Sequence, residues 1–550
     1  MLPKKETLVI EFKSDIKSYP DRDLVEAITA MANTKGGELY LGIEDNGEVT
    51  GLSKKHRDEI GVIALIANNT VPSVATRAEI VLENNLEVLK ISVPMSKAIV
   101  STSTGKILRR RLKLDGTPEV VPMFAYEINS RLAELSLLDV SAQPLPEATL
   151  EDLDPNQLER LKRIIKVNPG GEKTLLQLAE DELELALRLV VRDGESLCPT
   201  VTGLLLVGKE ESLQKYMPTA RACFQVMQGT NVKMNVTFFK PLLETFELLE
   251  NYIQPWNPEN EIEYGLFRIP IPEFDRSAIR EGLVNAFCHR DYSVLGDVRV
   301  AIDDEGMSIT SPGGFIDGVS IHNLLTVEPH GRNPALADAL KRIGLAEKTG
   351  RGIDRIFEGS IIYGRPWPDY SETTSRYVRL YFGRAKADPA FTKMISEALK
   401  EQNRGLSIYA LMILSCLREE RRLNMERIVE ITNLQQSKLK TSLEMLVERG
   451  LIEAYGHSKD REYILSKKYY ISNKENLGYV RQAGIDRIRY KEMIRKLALV
   501  NGGTFTKKEV MKLLEVTSNE AYSLIKEMQS EGVVEMVQSG KYAKYRLKDS

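Results

Sequence analysis

The residues most able to do chemistry lie in the middle of the chain. The stretch Ile279-Arg-Glu-Gly-Leu-Val-Asn-Ala-Phe-Cys-His-Arg-Asp291 holds Glu281 and Asn285 four positions apart. On a helix that spacing puts both on one face. An asparagine there can hold a magnesium ion over a triphosphate, and a glutamate can orient the attacking water. Hydrolysis needs both functions. Downstream, Ser311-Pro-Gly-Gly-Phe315 is a glycine-bearing turn after a strand, and Lys348-Thr-Gly-Arg-Gly-Ile353 runs into a helix. Backbone N–H groups in such segments can meet phosphate. At the front of the chain, Glu6, Glu11, Lys13, Glu44 and Asp45 form a second set. Carboxylates hold hard divalent cations, which activate water and stabilise charge at phosphorus, and a lysine can meet the phosphate itself.

The middle segment resembles the nucleotide-binding fold of gyrase, MutL and histidine kinases. It is more similar still to the RecG-related branch of that fold, over about residues 275–385, including His289-Arg290-Asp291-Tyr292 and Arg332-Asn333-Pro334. The resemblance implies a GHKL-like α/β sandwich that binds ATP. It makes Glu281 the catalytic glutamate and Asn285 the magnesium ligand, and adds Gly313, Gly314, Arg332, Gly350 and Gly352 to the ATP site. The family's second box has an aspartate that reads adenine, in a D-x-G-x-G pattern. This chain has Ser311-Pro-Gly-Gly there, without that aspartate. No G-x-x-x-x-G-K-[ST] occurs, so the chain carries no RecG-type helicase motor. The kinase Gly-rich loop, V-A-I-K and D-F-G are also missing.

The front segment, over about residues 6–125, resembles the Schlafen core, or Schlafen AlbA-type domain. Three motifs carry the likeness: E-x4-E-F-K from Glu6 to Lys13, A-N-T-x-G-G from Ala32 to Gly37, and Gly42-Ile-Glu-Asp45 before a turn. In nuclease members of that family, the matching residues make a metal-dependent RNA-cutting centre. The resemblance thus implies a site of Glu6, Glu11 and Asp45 with Mg2+ or Mn2+, assisted by Lys13. Arg109-Arg110-Arg111 would hold a phosphate backbone whether the domain cuts or only binds. One geometric condition follows. Positions five apart on a straight strand face opposite sides, so Glu6 must sit before the strand or at a bulge to reach Glu11.

These residues need elements to position them. Leu8, Ile10 and Phe12 alternate as a strand, and Leu24, Val25, Ile28 and Ala32 recur at helical spacing. Glu38 to Ile43 reads as a second strand, and Asn46-Gly47 as a hairpin turn returning through Val49 to Leu52. Residues 140–155, rich in Pro and acidic residues, read as a linker. Thr174 to Val191 reads as helix and Thr202 to Val207 as a buried strand. The Glu281 helix is expected over Ser277 to His289, with strands at Asp297–Ile302 and Gly306–Thr310.

The tail repeats itself. Residues 448–465 and 530–547 align without gaps at an offset of 82, matching Gly450 to Gly532, Glu453 to Glu535 and Tyr463 to Tyr545. Each copy reads as helix, turn, helix and a two-stranded wing, so the tail is expected to be a tandem winged helix. Gln436, Lys438 and Lys440 fall on the first copy's second helix, with His457, Lys459 and Arg461 at its wing. Lys541, Lys544 and Arg546 fall on the second copy's wing. A helix-turn-helix lays its second helix in the major groove and grips phosphate with flanking basic residues. Protein docking is the other use of such a module.

The chain as a whole reads as an α/β multidomain protein. The expected divisions are 1–135, 136–270, 271–390, 400–470 and 484–550. Net charge is -3, so nothing global marks a nucleic-acid binder, though residues 485–550 hold 13 Lys/Arg against 9 Asp/Glu. Four scattered cysteines give no zinc spacing or disulfide framework. No apolar run spans a membrane and the N-terminus has no signal core, so a cytoplasmic setting is expected. Two functions compete. One is a Schlafen-type endonuclease acting on RNA such as tRNA, controlled by the ATP-like domain, as in an anti-phage defence effector. The other is an ATP-responsive, DNA-binding transcription regulator without nuclease activity. Either is expected to work as a homo-oligomer.

Overall fold

The chain is seen in a computed structural model that describes residues 2–548. Left out are residues 4, 114–115, 136, 195, 265–266, 317, 329–330, 347–349, 402–404, 456–460, 473–489, 515 and 539–542. His457, Lys459, Lys348 and Lys541 thus lie outside the described residues. The architecture is mixed α/β in several units. Among the described residues, no helix is long and apolar enough to cross a membrane.

The front unit is built on a four-stranded sheet, in the order 10–13, 37–41, 86–93, 77–83. The first pair is parallel and the others antiparallel. The helix Asp21–Ala32 buries Leu24, Ile28, Met31 and Ala32 against it, a stripe at the helical period. The strand begins at Ile10, two residues later than the alternation implied. Thr7 and Ile10 exchange backbone hydrogen bonds across Leu8-Val9, which turns Glu6 back along the strand. Gly37 makes the parallel pairing possible: its φ is +132°, and a Cβ there would overlap the Val9 carbonyl. Asn46-Gly47 does turn the chain, but only one bridge, Ile43 to Val49, closes behind it. The strand Gly37–Leu41 gives its second edge to Leu86–Val93 instead.

The middle unit is one five-stranded sheet, in the order 231–238, 222–228, 298–302, 306–312, 377–383. Its first two strands precede residue 270, so the sheet crosses the division expected there. Ala222–Gln228 pairs in parallel with Val298–Ile302, a connection too long-range for local patterning to reveal. The run Thr202–Val207 is helix, not strand. Thr200 caps the helix Val201–Val207 by accepting from the Gly203 N–H, and all seven residues are buried. An unbroken apolar run reads alike in either form, and here the cap decides. The helix expected from Thr174 to Val191 breaks into Glu180–Ala186 and the strand Val190–Asp193, with Arg188 left-handed between them at φ 55°. Residues 140–155 are anchored rather than loose, through bridges from Pro144 to Thr200 and Leu153 to Gly208.

The helix Arg276–Cys288 lies flat on this sheet. Asp275 caps it, accepting from the Ser277 and Ala278 N–H groups. At Gly282, an added Cβ would come within 2.8 Å of Leu380 and 3.1 Å of Ile309.

The two tail copies repeat one topology. Strand Arg422–Asn424 leads to helices Met425–Thr432 and Gln436–Glu448, then to strands Ile452–Tyr455 and Glu462–Leu465. In the second copy the same order is Thr504–Thr506, Lys507–Leu514, Ser518–Ser530, Val534–Gln538 and Lys544–Leu547. In each three-stranded sheet the last strand is central. Gly450 and Gly532 end the second helices at φ 64° and 74°. The copies differ in what they pack on. Leu411, Ile413 and Tyr470 of the first copy's region share one core with the middle unit, whereas Phe505, Leu524 and Tyr545 belong to a separate core.

Asp15 pins the loop that follows the first strand. It is fully buried, accepts from the Tyr19 and Ser53 N–H groups at 2.7 and 2.8 Å, and lies 2.8 Å from His56 Nδ1. Burial pushes its carboxyl up, but the His56, Tyr19 and Ser53 hydrogen bonds prevail and hold it below its ordinary value. Its folded pKa is depressed, so its contribution is present above about pH 4 and is lost as pH falls through the folded value. Asp15→Asn should therefore melt below the wild type at pH 7, by about 1–3 kcal/mol. The gap should narrow steadily in melts run below pH 4.

Candidate functional site

A cavity of about 560 Å³ opens between the Arg276–Cys288 helix, the sheet and the segment 311–353. That volume suits a small-molecule ligand. Glu281, Asn285, Gly313, Gly314, Arg332, Gly350 and Gly352 all line it. Residues spread over some seventy positions are thus brought to one place. Asn285 is half-buried, and its side-chain amide makes no hydrogen bond among the described residues. Glu281 is buried, with its carboxylate against Gly352 at the start of the helix Gly352–Ile361.

Arg332 lines the cavity but is committed to structure. It is 4% exposed, donates to the Gly314 and His289 carbonyls at 2.9 and 3.3 Å, and lies 4.0 Å from Asp291. Asn333 beside it donates to the Cys288 and Arg290 carbonyls at 2.9 and 2.8 Å, closing the C-terminal end of the Glu281 helix. Arg290 is fully buried and donates to the Thr219, Val294 and Gly296 carbonyls. The two Arg-containing motifs are therefore struts around the cavity. Ser311 donates to the Ala286 carbonyl at 2.6 Å and ties the sheet to the same helix.

The sequence reading missed several lining residues: Cys288, Phe315, Asp338, Lys341 and Tyr370. Burial pushes the Cys288 thiol up to about 12, which leaves it unreactive at neutral pH. Asp338 and Lys341 share the face of the helix Pro334–Arg342 opposite Leu336 and Leu340. Their three-residue spacing was the signal available. Tyr370 stands in a loop that no motif marks.

In the front unit, the turn at Leu8-Val9 does bring Glu6 to the side of Glu11. Lys13 Nζ stands 2.6 Å from Glu11 and 3.8 Å from Glu6. Glu11 also pairs with the Arg110 guanidinium, and Glu6 accepts the Phe12 N–H at 2.8 Å. Burial raises the Glu6 carboxyl, the Phe12 hydrogen bond opposes this, and Glu11 adds to the rise. Asp45 is exposed on the turn, within electrostatic reach of Glu6 and Tyr19. A divalent cation does not fit these carboxylates as they stand, because two internal cations already neutralise Glu11. Among the described residues, no group of three or more His, Cys, Asp or Glu is disposed to hold a metal ion.

The basic residues divide by strand parity. On Leu108–Leu112, Arg110 points inward and is 2% exposed, while Arg109 and Arg111 face outward. Arg110 therefore does not reach a phosphate backbone. Arg109 pairs with Glu127, and Arg111 with Glu119 at 2.6 Å. In the tail, Gln436, Lys438 and Lys440 are exposed on their helix, and Lys438 rests on the Tyr409 ring. Lys544 and Arg546 are exposed on one face of the second copy's central strand, with Tyr545 buried between them.

Residues 6–115 match the family described as "Schlafen, AlbA_2". Residues 296–382 match the family described as "Putative ATP-dependent DNA helicase recG C-terminal", a match that begins after the Glu281 helix. Between them, residues 131–223 match a domain of unknown function, DUF8451. No curated protein matches the chain. Among solved structures, the DIP2311 protein from Corynebacterium diphtheriae is similar at 22% identity over 85% of this chain and 94% of that one, with a TM-score of 0.51. The likeness is one of fold. The YusO protein from Bacillus subtilis matches 20% of this chain and 82% of its own at 18% identity, with a TM-score of 0.12 that carries no structural argument.

The contact of Glu281 with Gly352 is testable. A Cβ at 352 would overlap the Glu281 carboxylate. Gly352→Ala should destabilise the chain by about 1–3 kcal/mol in thermal melts. Adding Glu281→Ala should recover most of that loss, since the obstacle is then gone.

Proposed function

We propose that the chain is a nucleic-acid-binding regulator whose state is set by a nucleotide in the middle cavity, and that its front unit binds without cutting. The observation that carries this reading is the convergence of Glu281, Asn285 and the glycines of both turns on one cavity. The RecG-type match points the same way, towards an ATPase-like unit. Nucleotide phosphates would lie along the N–H groups at Gly350 and Gly352, where the helix dipole favours negative charge. Glu281 sits beside that helix start and would orient water towards the terminal phosphate. Asn285 would hold a magnesium ion carried in with the nucleotide, and the ion would supply Lewis acidity.

The Schlafen-type match supports nucleic acid as the partner of the front unit. Binding without cutting is supported by Lys13 and Arg110, which occupy Glu11. The tail copies read as winged helices, and the second, with its own core, is the better placed to meet DNA or RNA. A cutting function, as in a defence effector, has one observation in its favour: Glu6 is turned to the Glu11 side, with Lys13 between them.

Three measurements separate these readings. Calorimetric titration with ATP and magnesium should show binding, and none at millimolar nucleotide would end the nucleotide reading. Incubation of the full chain with tRNA and with DNA, plus manganese, should leave both intact. Cleavage that vanishes in Glu11→Gln would restore the nuclease. Lys544→Ala with Arg546→Ala should weaken binding on any sequence and flatten the salt dependence by about two units of log K against log salt. An unchanged slope with an altered solution mass would instead make this wing a contact between protomers.

A further inference from the structure

A triphosphate brings several negative charges into the cavity, and glycine N–H groups alone answer them weakly. Among the described residues, only two side chains with a permanent positive charge line the cavity, Arg332 and Lys341. Arg332 is already spent on the Gly314 and His289 carbonyls and on Asp291. Lys341 is different. It lies on the last turn of the helix Pro334–Arg342, whose Ala335, Leu336, Ala339 and Leu340 are buried on the other side. It is half-buried, and its ammonium makes no ion pair or hydrogen bond among the described residues. Its charge and that of Glu281 both act on Cys288, which lines the same cavity. Asn285 lines the same cavity. The ammonium therefore lines the same cavity as the carboxylate and the amide expected to handle the terminal phosphate.

We propose that Lys341 is the cation that holds the phosphate chain in this cavity, so that the site tells a nucleotide from its nucleoside by charge. The inference rests on the nucleotide reading above and adds the residue that gives it phosphate specificity. A lysine suits this role as a compact, mobile point charge that can follow a phosphate. Asp338, one turn earlier on the same helix, makes no ion pair with it and leaves the ammonium available to a ligand.

The test uses the full chain with magnesium, a fluorescent ATP analogue as probe, and ATP or adenosine as competitor. A charge-assisted hydrogen bond to phosphate corresponds to a loss of about 10- to 100-fold in affinity when removed. Lys341→Met should lose ATP affinity by about that factor and leave adenosine unchanged, while Lys341→Arg should stay within a few-fold of the wild type for ATP. Equal ATP affinity in Lys341→Met and wild type would overturn the proposal. So would a parallel loss for adenosine, which would make Lys341 a part of the cavity's architecture. If the wild type itself takes no nucleotide, the functional reading fails first, and the inference falls with it.

Discussion

Everything in the middle unit depends on how closely one helix can lie on one sheet. Gly282 sets that distance, because any side chain there would meet Leu380 and Ile309. With the helix held down, Glu281 and Asn285 project along its edge into the cavity rather than over the sheet. Ser311 and Asn333 fasten the same helix at its far end through its own carbonyls. The helix is thus fixed on its face by packing and at its end by hydrogen bonds. A catalytic or binding side chain needs that kind of support to hold its geometry.

The front unit solves a different problem. Glu11 and Arg110 are both buried, and a buried pair contributes little unless its geometry is good, but is costly to break from one side. Lys13 joins them from the same strand. Two cations thus meet Glu11 where the family resemblance implied a metal ion held by Glu6, Glu11 and Asp45. The residue types are the expected ones, but their mutual neutralisation depends on the inward turn of Arg110.

Much of this was legible in the sequence, for identifiable reasons. The order of elements in the tail was readable because the duplication repeats it and glycines mark both helix ends. The Glu281 helix was readable because its polar pair and apolar face obey one period. What stayed hidden depended on partners far away in the chain. Thr202–Val207 is helical by virtue of a threonine cap, and its apolar run would have suited a strand equally well. The strands before residue 270 join the middle sheet through a parallel pairing that no local pattern announces. Arg110 looked like one of three equivalent basic residues until strand parity turned it inward. Lys341 and Tyr370 sit in no motif, and only the cavity gathers them.

A hydrogen bond among the described residues joins the front and middle units. Ser130, on the helix Ala125–Glu134, donates to Asp291 at 2.5 Å, and that helix is fastened to the front unit by the Arg109–Glu127 pair. Asp291 in turn lies behind Gly313 and beside Arg332, both in the cavity wall. The front unit therefore touches the back of the cavity wall at Asp291, and a ligand on either side can be felt on the other through that contact. Free-energy coupling through such a contact is symmetric. Whatever factor a cavity ligand imposes on the front unit's affinity for its own partner, that partner imposes on the cavity. On the reading proposed above, sensor and effector are then not fixed labels on the front and middle units, and the ligand present in excess decides which unit responds.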